Sequence, residues 1–208
     1  MSERITVLLV DDHALVRQGF RRILEDEDCL AVVGEAGDGV RAIQMVRELR
    51  PRVVLMDCSM PGGDGLTATK EITTTYPETS VVILSMHSGD TWVRRAIEAG
   101  ARGYILKNAE LDLVSMIRRV VIGEIVLDQR IPEGSAMHAK RSCGLTAREL
   151  QVLQLIVEGK STIEIASLLE VSVNTVSVHR TRISRSLNCH TTAELVSFAI
   201  RNGLVNVP

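Results

Sequence analysis

Four cysteines are scattered through the 208 residues, and none lies near another: Cys29, Cys58, Cys143 and Cys189 form no C-x-x-C pair. No histidine cluster stands at metal-ligand spacing either, so neither a disulfide framework nor a zinc site is expected. No apolar run approaches the length needed to span a bilayer, and Met1-Ser2-Glu3-Arg4 leads directly into a short apolar stretch. A cytoplasmic protein is the expectation. The chain also lacks a strong charge of either sign, with a net of −2. Hydrophobic residues make up 45% and charged residues 24%, which argues against disorder of the whole chain. The length suits two domains better than one.

The charge that is present is uneven. Residues 1–127 hold 15 Lys and Arg against 19 Asp and Glu, a net of −4, and residues 128–208 hold 9 against 7, a net of +2. The two parts therefore suit different partners, and +2 is a weak nucleic-acid signal by itself.

The most informative stretch is Val53-Val54-Leu55-Met56-Asp57, followed by Cys58-Ser59-Met60-Pro61-Gly62-Gly63. An apolar run without polar alternation predicts a strand buried on both faces, and the Pro and Gly residues turn the chain away after it. Alone, an Asp at such a strand end more often caps the next helix than does chemistry. The rest of the chain overturns that reading. Ile5 to Val10 ends in Asp11-Asp12, Val81 to Leu84 ends in Ser85, and Gly103 to Leu106 ends in Lys107. Leu30 to Val33 predicts one further strand. Helical spacing is present over Ala14 to Leu24, Val40 to Leu49, Leu66 to Ile72, Thr91 to Ala99 and Leu111 to Val121. Five strands alternating with five helices imply right-handed βαβ units and a doubly wound parallel sheet. The strand ends then bring three carboxylates, a hydroxyl and an ammonium to one rim, where ligands bind in such sheets.

Crowded carboxylates repel one another unless a cation offsets them. Oxygen donors favour a hard ion, Mg²⁺ before Zn²⁺. Asp57 in such a site can act as a nucleophile towards a phosphoryl group, with Lys107 as a fixed positive charge and Ser85 as a hydrogen-bond donor.

Asp11-Asp12, Asp57 with Met60-Pro61 and Gly65, Ser85, and Gly103-Tyr104-Ile105-Leu106-Lys107 together resemble the receiver domain of bacterial two-component response regulators, over about residues 4–122. The resemblance implies that Asp57 takes a phosphoryl group from a sensor histidine kinase. It also implies Mg²⁺ on Asp12, Asp57 and the backbone carbonyl of Ser59, with Asp11 acting largely through water. Ser85 and Tyr104 resemble the switch pair, in which the hydroxyl moves towards the phosphoryl group and the ring turns inward. Asn108 stands where many receivers have proline.

Residues 123–144, with Pro132, Gly134, Ser135 and Lys140-Arg141, predict a linker between a domain over 1–122 and another over 145–208. From Leu145 onward, Thr146-x-x-Glu149, Ser161-x-x-Glu164 and Thr191-x-x-Glu194 are capping boxes, each preceding an apolar run. Ser172-x-x-Thr175 is a weaker version. Four short helices in this length form an all-α unit, and the pair around Glu170-Val171-Ser172 has helix-turn-helix spacing. After Ser172 the buried stripe is Val176, Ile183 and Leu187. At about 100° per residue, Asn174, Val178, Thr181 and Arg185 lie opposite, flanked by Ser177 and Arg182. Those groups suit base edges and phosphates.

Leu145-Thr146-x-Arg148-Glu149, Gly159-Lys160-Ser161, Glu164-Ile165-Ala166 and Val171-Ser172 through Thr175-Val176-x-Val178-His179-Arg180 resemble the LuxR/NarL-type DNA-binding domain. The implied recognition helix is 173–187, with Asn174, Thr175, Ser177, Val178, Thr181, Arg182 and Arg185 as DNA contacts. Leu195, Val196, Ala199 and Ile200 of the last helix serve equally well as core or as a pairing face. Over nearly its whole length the chain is similar to NarL/FixJ-type response regulators. The fold implied is α/β plus all-α: a five-stranded doubly wound parallel (flavodoxin-like) receiver with a small four-helix helix-turn-helix domain. The implied function is a transcription factor, not an enzyme, with Mg²⁺, a histidine kinase and double-stranded DNA as partners and a homodimer when phosphorylated. An Asp-nucleophile phosphatase is the alternative from another class. Such enzymes commonly carry a second Asp two residues after the nucleophile, and that position here is Ser59. A regulator working without phosphorylation is the other alternative.

Overall fold

The computed structural model describes residues 4–60, 65–107, 113–131, 143–202 and 204–205. The turn expected at Pro61, Gly62 and Gly63, Asn108, the helix start at Leu111, and the linker residues Pro132, Gly134, Ser135 and Lys140-Arg141 lie outside them.

In the first part β1 (Ile5–Val10), α1 (Ala14–Glu25), β2 (Leu30–Ala36), α2 (Gly39–Leu49), β3 (Val53–Asp57), α3 (Gly65–Thr75), β4 (Ser80–Ser85), α4 (Asp90–Glu98), β5 (Gly103–Leu106) and α5 (Leu113–Val121) alternate along the chain. A two-residue β6 (Val126–Leu127) follows. The sheet is parallel throughout in the order β2-β1-β3-β4-β5-β6. The flavodoxin-like order is as expected, but the strand count is six. Val126-Leu127 falls within the predicted linker, because two residues carry no periodicity. Backbone pairing holds them, with Val126 N donating to Arg102 O at 2.8 Å and Asp128 N to Tyr104 O at 2.9 Å.

The unalternating apolar runs are explained by burial on both faces. Leu8, Val10, Val54, Met56, Val81, Ile83, Tyr104 and Leu106 pack on one side with residues of α2, α3 and α4. Val7, Leu9, Val53, Leu55, Val82, Leu84 and Ile105 pack on the other with α1 and α5. Each fully buried Val, Leu or Ile contributes about 1.5–3 kcal/mol, so the sheet is the stable frame on which the rim is built. Helical spacing overstated one face: Leu15 is 81% exposed, whereas Phe20 and Leu24 enter the core.

Where α3 begins, its backbone crosses close to the end of β3. A Cβ added at Gly65 would collide with the Asp57 carbonyl oxygen. Gly65→Ala is therefore expected to destabilise the protein by about 1–3 kcal/mol, as overpacking does. Denaturant unfolding would show it, and an unchanged midpoint would refute the close approach.

The second part consists of α6 (Ala147–Val157), α7 (Thr162–Leu168), α8 (Val173–Ser186) and α9 (Thr192–Arg201) around one apolar cluster. All three capping boxes form with both hydrogen bonds, and Ser172 caps α8 by accepting from Thr175 N. The last helix divides its apolar residues: Leu195 and Ala199 are core, while Ile200 is exposed.

Candidate functional site

At the carboxyl rim of the sheet, Lys107 leaves β5 and lays its ammonium between two carboxylates. Its Nζ is 2.6 Å from Asp11 Oδ2 and 2.9 Å from Asp57 Oδ1. Asp57 also accepts from the Ser59 amide at 3.3 Å, and Asp11 from the His13 amide at 2.9 Å. Burial pushes the Asp57 carboxyl above the usual carboxylate range, and Lys107 offsets this only in part. Burial opposes the Lys107 charge too, but the hydrogen bonds it donates to Asp11 and Asp57, with the attraction of their charges, outweigh it and hold its pKa above the ordinary value.

Asp11, Asp12, His13 and Asp57 offer ligand atoms within 4.8 Å of one another. Asp12 Oδ1 is buried without a hydrogen-bond partner, although His13 Nδ1 lies 2.8 Å away. An orphaned carboxylate oxygen beside two more carboxylates fits a hard cation, which would take up the lone pairs that protein donors leave unused. His13 is an addition to the expected set. The sequence shows it directly after the Asp pair, but a lone His at a helix start carries no metal signal.

Ser85 and Tyr104, expected as a pair, meet through one loop. Ser85 Oγ accepts from His87 N at 3.0 Å, and the Tyr104 hydroxyl donates to His87 O at 2.7 Å. Tyr104 is fully buried, so its ring already lies inward, and burial pushes its pKa up to about 12.

The outward face of α8 lies against the first part of the molecule. Asn174, Ser177, Val178, Thr181, Arg182 and Arg185 line a cleft of about 470 Å³. Its other wall comes from the amino-terminal edge of the sheet, including Arg52 and Ser80, and Arg182 Nη2 reaches Ser80 Oγ at 3.4 Å. Thr175 does not belong to that face. It is 7% exposed, and its hydroxyl is held by Ser172 at 2.8 Å, because the first turn of a helix serves its own cap.

Beside the cleft is a contact that no motif announced. Arg102, just before β5, donates to Gly123 O at 2.6 Å and pairs with Glu149 Oε1 of α6. Both side chains are 1% exposed. The other Glu149 oxygen accepts from Thr146 N at 2.9 Å, closing the capping box. One carboxylate thus caps its own helix and holds the opposite domain. His179 lies in the same seam, with neither ring nitrogen hydrogen-bonded, and burial drives its pKa down to about 4.

Among the described residues, no helix is long and apolar enough to cross a membrane. Residues 7–118 match the response regulator receiver domain family, and residues 144–199 match the LuxR family of bacterial regulatory proteins. The oxygen regulatory protein NreC of Staphylococcus carnosus is 38% identical over 96% of this chain and 99% of its own. A LuxR-family two-component response regulator from Aurantimonas is 34% identical with a TM-score of 0.62, covering 66% of this chain and 99% of that one. The response regulator RcsB, solved in complex with DNA, is 28% identical with a TM-score of 0.56, covering 95% of this chain and 98% of that one. With both domain families matched in order, and relatives that run its full length, the chain belongs to the NarL/FixJ-type response regulators: DNA-binding two-component regulators that join a receiver to a LuxR-type domain.

Proposed function

We propose that Asp57 is the phosphoacceptor and that a sensor histidine kinase supplies the phosphoryl group. The observation that carries this is the Lys107 ammonium set between Asp57 and Asp11, a fixed charge beside the nucleophile. Asp57 attacks phosphorus through a carboxylate oxygen, the bond to the donor breaks, and an aspartyl phosphate remains. Lys107 compensates charge on the phosphoryl oxygens, and the Ser85 hydroxyl leaves the His87 amide to donate to one of them. Asp11, Asp12, Asp57 and the Ser59 carbonyl are the residues that would hold Mg²⁺, which neutralises charge as phosphoryl oxygens approach. The rim lacks an acid two residues after Asp57, where Ser59 stands, so it is suited to retaining the group rather than turning over as a phosphatase. The chain acts as a switch, not an enzyme, and works in the cytoplasm.

Residues 1–122 and 145–208 are the receiver and DNA-binding domains, with 123–144 connecting them. In the arrangement described, the face carrying Asn174, Ser177, Val178, Thr181, Arg182 and Arg185 is turned into the cleft, and duplex DNA cannot reach it. Phosphorylation shifts the equilibrium towards an open form, which places α8 in the major groove and pairs on two-fold-related half-sites as a homodimer. Strand β5 spans the two ends of the switch, with Arg102 at its start, Tyr104 within it and Lys107 just after it. With a net of only +2 over residues 128–208, each half-site contact is weak and dimerisation supplies the rest.

Incubation of the full chain with acetyl phosphate and Mg²⁺ should add one phosphoryl group per molecule by intact mass. Removal of divalent ions with EDTA should reduce the yield at least tenfold. No incorporation under either condition would overturn the reading.

A further inference from the structure

The cleft between the two domains gathers cations that have no ion-pair partner among the described residues. Arg52 projects from the loop before β3, and Arg182 and Arg185 come from α8. Among the described residues, none of the three has a carboxylate within ion-pair distance. The two nearby acids are already engaged: Glu78 lies in the cleft but is held by Arg50 at 2.8 Å, and Glu149 by Arg102. Burial first, and then the neighbouring guanidinium of Arg102, bring Arg182 down to about 10, with Glu149 and Glu78 acting in the opposite direction.

We infer that this cleft is a binding site for a small phosphate-bearing anion that locks the closed form. Three arginines line this one cavity, and the guanidinium fork suits phosphate oxygens in geometry and charge. The volume of about 470 Å³ exceeds a single phosphate and suits a diphosphate or a phosphorylated small molecule. A duplex has no entry to a space of this size. Because Arg52 belongs to the receiver and Arg182 and Arg185 to the recognition helix, one anion ties the domains together while occupying groups available to DNA phosphates. Such a ligand opposes DNA binding, and by linkage DNA weakens the ligand equally. The inference rests on the closed arrangement of the domains and not on phosphorylation at Asp57.

The test is calorimetric titration of pyrophosphate into the full chain, with EDTA present to silence the rim and ionic strength held constant with chloride. Saturable one-to-one binding is expected, at least tenfold weaker in Arg52→Ala, whose side chain is exposed and whose loss leaves the core intact. Arg102→Ala, which removes the buried pair between the domains, should weaken it similarly. No binding above the chloride background, or equal binding by wild type and Arg52→Ala, would overturn the site. Full binding by an Arg102→Ala protein shown by scattering to be open would overturn the claim that closure forms it.

Discussion

Replacing Asp57 with asparagine is expected to abolish stoichiometric labelling by acetyl phosphate, the largest effect any single change should have. The amide nearly matches the carboxylate in shape, so β3 and the loop after it should keep their packing. It has no anionic oxygen to form the bond to phosphorus, which makes the loss chemical rather than structural. Asp11 is poorly placed to substitute, since it is 2% exposed and already receives Lys107 and the His13 amide. Asp12, part exposed, leaves room for slow residual transfer. Intact mass with fragment mapping distinguishes these cases. One full phosphoryl group on the Asp57→Asn chain would show that the acceptor lies elsewhere.

Arg102→Ala is expected to open the molecule without a kinase or phosphate donor. In a single domain, deleting one partner of a buried ion pair costs about 3–5 kcal/mol, because the other charge stays buried and unpaired. Here the stranded Glu149 has an escape, since separation of the domains hydrates it while its cap on α6 remains. The penalty therefore falls on closure and not on folding. Its size is close to the roughly 5.5 kcal/mol that moves a two-state equilibrium from 1:99 to 99:1, so this one pair operates on the scale of the whole switch. DNA affinity of the unphosphorylated chain, measured at one salt concentration on a duplex selected from a random pool, should rise about a hundredfold to a few thousandfold, at 1.4 kcal/mol per tenfold. Glu149→Gln is the companion variant, since glutamine also closes a capping box. It should open the chain with little change in the thermal unfolding of the second domain. A closed Arg102→Ala protein with unchanged DNA affinity would remove the pair from the account.

The rim was legible in the sequence because its logic is one-dimensional. A strand buried on both faces is a continuous apolar run, and in a parallel sheet the residues after such runs share one edge. Asp11, Asp57, Ser85 and Lys107 could therefore be placed together before any coordinates. The capping boxes were legible for the same reason, as each joins residues three apart. The domain seam was not. No motif includes Arg102, and Glu149 reads as a cap alone; at a separation of 47 positions the two carry no periodic signal of their contact. β6 was missed because two residues show no pattern, and its pairing with β5 is a tertiary fact. Thr175 entered the expected DNA contacts through the family resemblance and not through helical geometry, and in the first turn the need to satisfy free amides decides where its hydroxyl points. Leu15 shares the helical spacing of Phe20 and Leu24 but lies past the edge of what α1 buries.

The central claim is that events at Asp57 on one edge of the sheet control the seam on the other. It is tested most directly by small-angle scattering and DNA-binding affinity of the full chain, with and without beryllofluoride and Mg²⁺, in wild type and Arg102→Ala. The account predicts that the mimic expands or dimerises the wild type and tightens DNA binding, while the already open Arg102→Ala chain gains far less. Occupancy of Asp57 by beryllofluoride with no change in shape, assembly or DNA affinity of the wild type would contradict it.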